Sequence, residues 1–331
     1  MNSSIMARES KESADSISTL IKYNRSTFDG LAESFKLSPP LGIMTVGRGS
    51  SDHVGVFAKY LFETQCGIPV FSAAPSVASV FNKTLNLKGF LAIAISQSGQ
   101  SPDIVSQLKY AKEGGAYCIA IVNNSSSPLA KVADVVIDMC AGEEIAVAAT
   151  KSYLCSLAAL LGLCASWTKD TSLQESLKTL PSQLARAGSM PAMLTKDNFH
   201  ISERCIVVGR GFGYAISKEI ALKLKEVLGV QAEAFSSAEF LHGPVTLASK
   251  TISVVSISLN DATGYIHDQI VLDLQAREAE IIDISVGEDV HNLLQPLLIV
   301  QRFYLDLAAL AASRGLNPDK PPGLQKVTET K

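Results

Sequence analysis

The chain has 331 residues, 47% hydrophobic and 18% charged, which is enough for two ordinary cores and too much for one small domain. Its formal net charge of −3 leaves no basic surplus to hold nucleic acid or an anionic membrane surface, so neither partner is expected. Six cysteines (Cys66, Cys118, Cys140, Cys155, Cys164 and Cys205) make no C-x-x-C pair, which argues for a reducing compartment and against a disulfide frame or a zinc site.

Taken in chain order, residues 1–15 are polar and charged and carry no signal-peptide pattern, so a cytoplasmic location is expected. Residues 9–35 place Ile17, Leu20, Ile21, Phe28 and Leu31 at helical spacing, predicting amphipathic helix in two pieces that Pro39-Pro40 ends. Strands are predicted at 43–46, 69–72, 91–95, 117–122 and 135–138, with helices over 54–64, 76–81, 102–112 and 127–132 between them. A helix over 146–167 closes the unit, and its most apolar run, 153–167, is too short to span a bilayer and reads as buried. A charged, helix-prone bridge covers 168–198. The pattern then restarts, with strands at 205–208, 231–235, 252–258 and 281–285, helices at 214–228, 268–277 and 295–314, and a polar tail.

Apolar strands alternating with helices predict parallel sheets covered on both faces. Thr45-Val46-Gly47-Arg48-Gly49 and Val207-Val208-Gly209-Arg210-Gly211 close two such strands, and their offset is 209 − 47 = 162 residues. That period fits a duplicated domain. The expected fold class is therefore α/β, with two tandem doubly wound parallel-sheet domains. The expected divisions are a helical segment over 1–36, a first domain over 37–175, a second over 190–316 and a tail over 317–331.

A dinucleotide site would need a third glycine three residues after the second, and those positions hold Asp52 and Tyr214. The third strand instead runs into Ser96-Gln97-Ser98-Gly99-Gln100-Ser101-Pro102, a turn of small hydroxyls and amides opening a helix. Ser101 reads as an N-cap and Pro102 as a first helical residue. Such a turn offers a neutral anion site, and Gly49-Ser50-Ser51 would lie beside it in the usual doubly wound order. A simple capped turn fits the local chemistry as well.

In the second half, Glu219, Lys223 and Glu226 are spaced i, i+4, i+7 and share one helical stripe. A partly desolvated carboxylate beside a lysine can move a proton between neighbouring carbons, although a solvated face carries the same spacing. His242, in Leu241-His242-Gly243-Pro244, is suited to acid–base work or to a plain surface turn. No metal-ligand spacing is present, and no cofactor is expected.

Together these motifs resemble the sugar isomerase (SIS) superfamily, whose domains are flavodoxin-like, and in particular the isomerase half of glucosamine-6-phosphate synthase. The resemblance runs from Ile43 almost to the end. It is carried by Gly49-Ser50-Ser51, by Ser96-Gln97-Ser98-Gly99 and by Ala141-Gly142-Glu143-Glu144 through Val147-Ala148-Ala149-Thr150-Lys151. Its other carriers are Ala221-Leu222-Lys223-Leu224-Lys225-Glu226, Glu239-Phe240-Leu241-His242-Gly243-Pro244 and Gly323-Leu324-Gln325-Lys326-Val327-Thr328.

The resemblance implies a sugar phosphate held by Ser50, Ser51, Ser96, Gln97, Ser98 and Ser101, with Val147 and Ala149 against the sugar. It implies Glu226 as the base between C1 and C2, with Lys223 beside it. His242 would assist ring opening, often from a partner subunit, and Lys326 would form a Schiff base with a ketose. Ala149 stands where the family carries serine. No amidotransferase segment precedes the paired domains, so the expected reaction is that of SIS-type glucosamine-6-phosphate deaminases, in a homodimer with shared sites. A galactosamine-6-phosphate deaminase, a fructosamine-6-phosphate deglycase and a non-catalytic sugar-phosphate sensor are the alternatives.

Overall fold

Short runs of buried, branched residues set the strands of the first sheet. They are β1 (Ile43–Val46), β2 (Val70–Ser72), β3 (Leu91–Ser96), β4 (Tyr117–Val122) and β5 (Val135–Asp138). The structure is a computed structural model and describes residues 4–199, 204–248, 252–287 and 289–326. Its contacts divide the chain into one unit of 13–144, 151–181 and 325–331 and another of 1–12, 145–150 and 182–324.

The five strands pair parallel in the order β2-β1-β3-β4-β5. Because order reverses between β1 and β3, the loops leaving their carboxyl ends flank the crevice where such sheets bind ligands. The register Val46↔Ala94 brings those two loops side by side. The connecting helices are α3 (Ser50–Cys66), α4 (Pro75–Ser79), α5 (Pro102–Glu113) and α6 (Pro128–Val132). One face packs Met44, Val46, Ala92, Ala94 and Val122 against Ile104 and Leu108 of α5. The other face is covered by α3, and α7 (Lys151–Thr168) packs against α2 and α3 and is buried continuously from Lys151 to Ala165 because it is apolar on every side.

The N-terminal helix breaks as expected, into α1 (Ile5–Tyr23) and α2 (Arg25–Leu37). Asn24 causes the break. Its buried amide donates to Leu20 O and Asp138 O and accepts from Asp138 N, so the side chain replaces helical continuity with a tie to the end of β5.

One predicted element is corrected. The helix expected over 146–167 begins only at Lys151. The N–H groups of Ile145 and Ala146 are taken by the Glu9 carboxylate, and that of Val147 by Asp319 O at 3.0 Å. Those bonds tie 145–147 to Glu9 and Asp319, and 145–150 is irregular.

In the other unit, β6 (Arg204–Gly209), β7 (Gln231–Ser236), β8 (Ser253–Ile257) and β9 (Glu280–Ile284) form a parallel sheet of order β7-β6-β8-β9. Its helices are α8 (Thr171–Gly188), α9 (Phe212–Leu228), the short α10 (Ser237–Phe240), α11 (Gly264–Ala276) and α12 (Gln295–Ser313). Residues 171–181 of α8 fall in the first unit. Ile206, Val208 and Val254 pack against Phe240, Ile270 and Leu274. By length and composition α12 could cross a membrane, but 83% of its apolar window is buried in this fold.

The two glycine turns adopt one conformation. Gly49 caps α3 at φ 53°, ψ −128°, and Gly211 caps α9 at φ 57°, ψ −124°. A side chain is disfavoured at this positive φ, which is why both strand-to-helix junctions carry glycine at the 162-residue offset (211 − 49).

Candidate functional site

In the first unit, Ser50 and Ser51 open α3, while Ser96 ends β3 and Gln97, Ser98 and Ser101 continue into the loop before α5. Ser96 Oγ accepts the Gly99 N–H at 3.0 Å, and Ser98 Oγ accepts the Gln100 N–H at 3.3 Å. A hydroxyl whose oxygen is engaged by a backbone donor keeps its own proton to give, so both serines are set up as donors. Gln97 O accepts the Asn123 N–H and Gly99 O the Leu129 N–H, fixing the loop to the ends of β4 and α6.

Gly99 is required twice. Its φ is +64°, and a Cβ there would stand 2.2 Å from Ser127 Oγ. Ser127 is itself committed, since its hydroxyl accepts from Ala130 N and caps α6.

Ser101 occupies the N-cap position of α5, but its side chain makes no capping bond, which corrects the expected role. Asp103 acts instead: its Oδ1 accepts the Ile104 N–H at 2.9 Å, and its Oδ2 takes Arg48 Nε at 2.9 Å. The arginine offsets a fully buried carboxylate beside the serine loop. Neither Arg48 nor Asp103 was singled out in the sequence, because the pairing spans 55 residues.

In the second unit, α9 carries the predicted stripe. Lys223 is 2% exposed, with Nζ 2.6 Å from Glu226 Oε2 and 3.5 Å from Glu219 Oε1. Glu219 is fully buried and accepts Tyr304 Oη–H of α12 at 2.9 Å. Glu226 is 21% exposed. The outer carboxylate therefore has one oxygen on a buried cation while the side chain still reaches the surface. The Tyr304 contact has no sequence signal, since 85 residues separate the partners.

His242 lies in the exposed turn after α10, its backbone N–H bonded to Glu239 O at 3.0 Å. Among the described residues its ring has no hydrogen-bond partner. Lys326 Nζ lies 3.2 Å from Glu144 Oε2, and Glu144 also accepts from Ser152 N and Ser152 Oγ at the start of α7. A fully buried carboxylate there suits both the helix N-terminus and the lysine cation. Val147 and Ala149 sit in the irregular stretch 145–150, within the second unit's contacts.

His267 had no usable pattern in the sequence and is buried in the structure. One ring nitrogen lies 3.0 Å from Ser256 Oγ, and desolvation lowers its pKa below the ordinary histidine value. Among the described residues, no three His, Cys, Asp or Glu side chains cluster as a metal site would. A cavity of about 470 Å³ opens among Ile21, Arg25, Phe28, Gly162, Leu177 and Lys178, and none of the candidate residues lines it. The chemistry of the serine loop and the glutamate stripe carries more weight than the volume of that cavity.

Comparison with known proteins matches the SIS domain model to residues 36–166 and 199–290. A glutamine–fructose-6-phosphate aminotransferase [isomerizing] of Mycobacterium leprae is 32% identical over 314 residues, covering 86% of this chain and 50% of that protein. The chain thus spans about half the length of the curated relatives it matches. A solved structure named as a phosphosugar isomerase, from Silicibacter pomeroyi DSS-3, superposes with a TM-score of 0.89 at 36% identity, over 96% of this chain and 100% of that one. Glucosamine-6-phosphate deaminase from Thermotoga maritima gives a TM-score of 0.79 at 22% identity, over 99% of this chain and 100% of that one, a likeness of fold.

Proposed function

The chain belongs to the SIS domain family, and from that premise we propose that it converts glucosamine 6-phosphate and water to fructose 6-phosphate and ammonia. The observation that carries this reading is the Lys223–Glu226 pair, a partly exposed carboxylate held on a buried ammonium. In the proposed reaction the serine loop (Ser50, Ser51, Ser96, Gln97, Ser98, Ser101) takes the phosphate through hydroxyl and amide donors. Val147 and Ala149 contact the sugar. His242 assists ring opening. Glu226 then removes the C2 proton and returns it to C1, leaving a C2 imine that water hydrolyses. Lys223 holds the carboxylate in place through both protonation states. Lys326, held by Glu144, pairs with the open-chain sugar or condenses with its carbonyl.

Ammonia release from a panel of amino-sugar 6-phosphates tests the reading. Glucosamine 6-phosphate is expected to turn over fastest, and Glu226→Gln is expected to bind it with turnover lowered by at least about a hundredfold. Full activity in that variant would falsify the assignment of the base. Preference for galactosamine 6-phosphate or for a phosphorylated fructosamine would move the substrate within the same family. The curated relatives are named as aminotransferases, which favours a second reading, the same proton transfer run toward amination. Formation of glucosamine 6-phosphate from fructose 6-phosphate and ammonium, with no net release from the amino sugar, would select that direction.

A further inference from the structure

We propose that Arg48 is a cationic arm of the phosphate cradle and that Asp103 is the residue that positions it. The inference rests on the serine loop being the phosphate site, as proposed above. It adds a cation to a cradle otherwise made of hydroxyls and amides.

Arg48 stands between β1 and α3, in the turn that leads to Ser50 and Ser51, and its carbonyl accepts the Ser51 N–H at 3.0 Å. Its Nε reaches Asp103 Oδ2, 2.9 Å away in the first turn of α5. Asp103 comes two residues after Ser101, so this one ion pair joins the two loops that leave the neighbouring ends of β1 and β3. The two side chains differ in freedom. That of Asp103 is fully buried, and its other oxygen accepts the Ile104 N–H, so the carboxylate is fixed. That of Arg48 is 54% exposed, and among the described residues its Nη groups make no hydrogen bond. A guanidinium held through Nε keeps its Nη donors to offer, and two of them can meet a phosphate side by side. Without the arginine, Asp103 would set a negative charge beside Ser101 and oppose an anion. With it the pair is neutral, and the exposed partner is the cation.

The other unit carries the same turn without this tether. Arg210 follows Gly209 as Arg48 follows Gly47, and its carbonyl accepts the Gly213 N–H at 2.8 Å. The carboxylate of the matching loop, Asp261, accepts instead from Thr263 N and Thr263 Oγ1, at 2.7 and 2.6 Å. Among the described residues Arg210 makes no ion pair, yet Gly211 holds nearly the same backbone angles as Gly49. The turn therefore does not need an arginine–aspartate pair for its shape. The pair occurs in the copy that has the full serine loop.

The test uses the whole protein and two readouts. The first probe is inorganic phosphate, compared with chloride at equal ionic strength. Phosphate should raise the melting temperature of the wild type and raise that of the double variant Arg48→Met, Asp103→Asn much less. The double variant is used because Arg48→Met alone leaves a buried carboxylate uncompensated, whereas asparagine can still accept the Ile104 N–H. The second readout is ammonia release from glucosamine 6-phosphate. There the double variant should show a KM raised about ten- to a hundredfold with kcat nearly unchanged. Arg48→Lys, which keeps the charge but not the planar fork, should fall between the two. Asp103→Asn alone should also raise KM, and should add nothing once Arg48 is replaced by Met, because it acts through the arginine. Wild-type values of both readouts in the double variant would overturn the proposal, as would a wild type indifferent to phosphate or a loss confined to kcat. The melts decide even where no ammonia is released: a phosphate shift lost in the double variant would then uphold the role of Arg48 while the proposed reaction fails. A shift lost in Ser98→Ala but kept in the double variant would leave the serine loop as the phosphate site and remove Arg48 from it.

Discussion

Lys223 Nζ lies 2.6 Å from Glu226 Oε2, with the lysine 2% exposed and the glutamate 21%. The same ammonium sits 3.5 Å from Glu219, which is fully buried, so one cation serves an inner and an outer carboxylate. This asymmetry separates fold from reaction. Glu226→Gln keeps an acceptor for Lys223 at the surface and should leave the melting temperature within a few degrees of wild type, while ammonia release disappears. Thermal melts run beside the assay check it, and a large loss of stability would make Glu226 structural.

Lys223→Met should do the reverse and unsettle the fold first. It strips Glu219 of the cation beside it, and an uncompensated buried charge costs about 3–5 kcal/mol. Denaturant unfolding is the measurement. The double variant Lys223→Met, Glu219→Gln removes both charges and should regain a large part of that loss, because the remaining amide can still accept from Tyr304. A double variant no more stable than the single one would mean that Glu219 is not where the penalty arises.

Gly99→Ala reports on the serine loop. Alanine at φ +64° costs about 1–2 kcal/mol, and its methyl would displace Ser127 Oγ, now 2.2 Å from that position, from the α6 cap, at about 1 kcal/mol more. If the loop holds the phosphate, the KM for the sugar phosphate should rise about tenfold or more with kcat less affected. Adding Ser127→Ala removes the clash and should recover part of the KM. An unchanged KM in Gly99→Ala would detach this loop from substrate binding.

The parallel sheets were legible because strands such as β3, β4 and β6 are largely apolar runs and each glycine turn sits at a strand end. The helical stripe was legible for a related reason: Glu219, Lys223 and Glu226 are near neighbours whose geometry is set by the helix period. Contacts between distant segments left no such trace. Tyr304 on Glu219, Arg48 on Asp103 and Glu144 on Lys326 join residues 85, 55 and 182 positions apart, and nothing local marks them. Residues 145–150 misled for the same reason. Their composition is helical, yet Glu9 and Asp319 tie them to segments far away in the sequence. Ser101 shows that a favourable residue type at a cap does not ensure the bond, since Asp103, two residues on, accepts the Ile104 N–H instead.

His267 predicts a pH dependence of stability. Its folded pKa is lowered, chiefly by desolvation, although Asp268, Asp283 and Asp261 pull it up and Arg210 adds to the lowering. The unfolded chain therefore binds this proton more readily than the native one. The contribution is fully present above the unfolded value of about 6.5 and is lost as pH falls through it. Melting temperatures between about pH 7.5 and pH 5.5 should fall more steeply for wild type than for His267→Gln, which cannot charge but can still bond Ser256. Parallel slopes would assign the acid lability to other groups.

His242 leads to a prediction about assembly. Its ring is exposed and has no hydrogen-bond partner among the described residues, which is a poor arrangement for an acid–base group acting alone. If a second copy of the chain supplies His242 to the glutamate stripe, inactive Glu226→Gln and inactive His242→Ala chains are complementary. Subunit exchange at equal amounts makes half of the dimers mixed, and each mixed dimer holds one intact pair and one doubly defective pair. Activity should therefore return to about one quarter of the wild-type level per site, and should fall on dilution if exchange is reversible. Zero recovery, with mixed dimers demonstrated by differential tagging, would place Glu226 and His242 in service of the same chain's site.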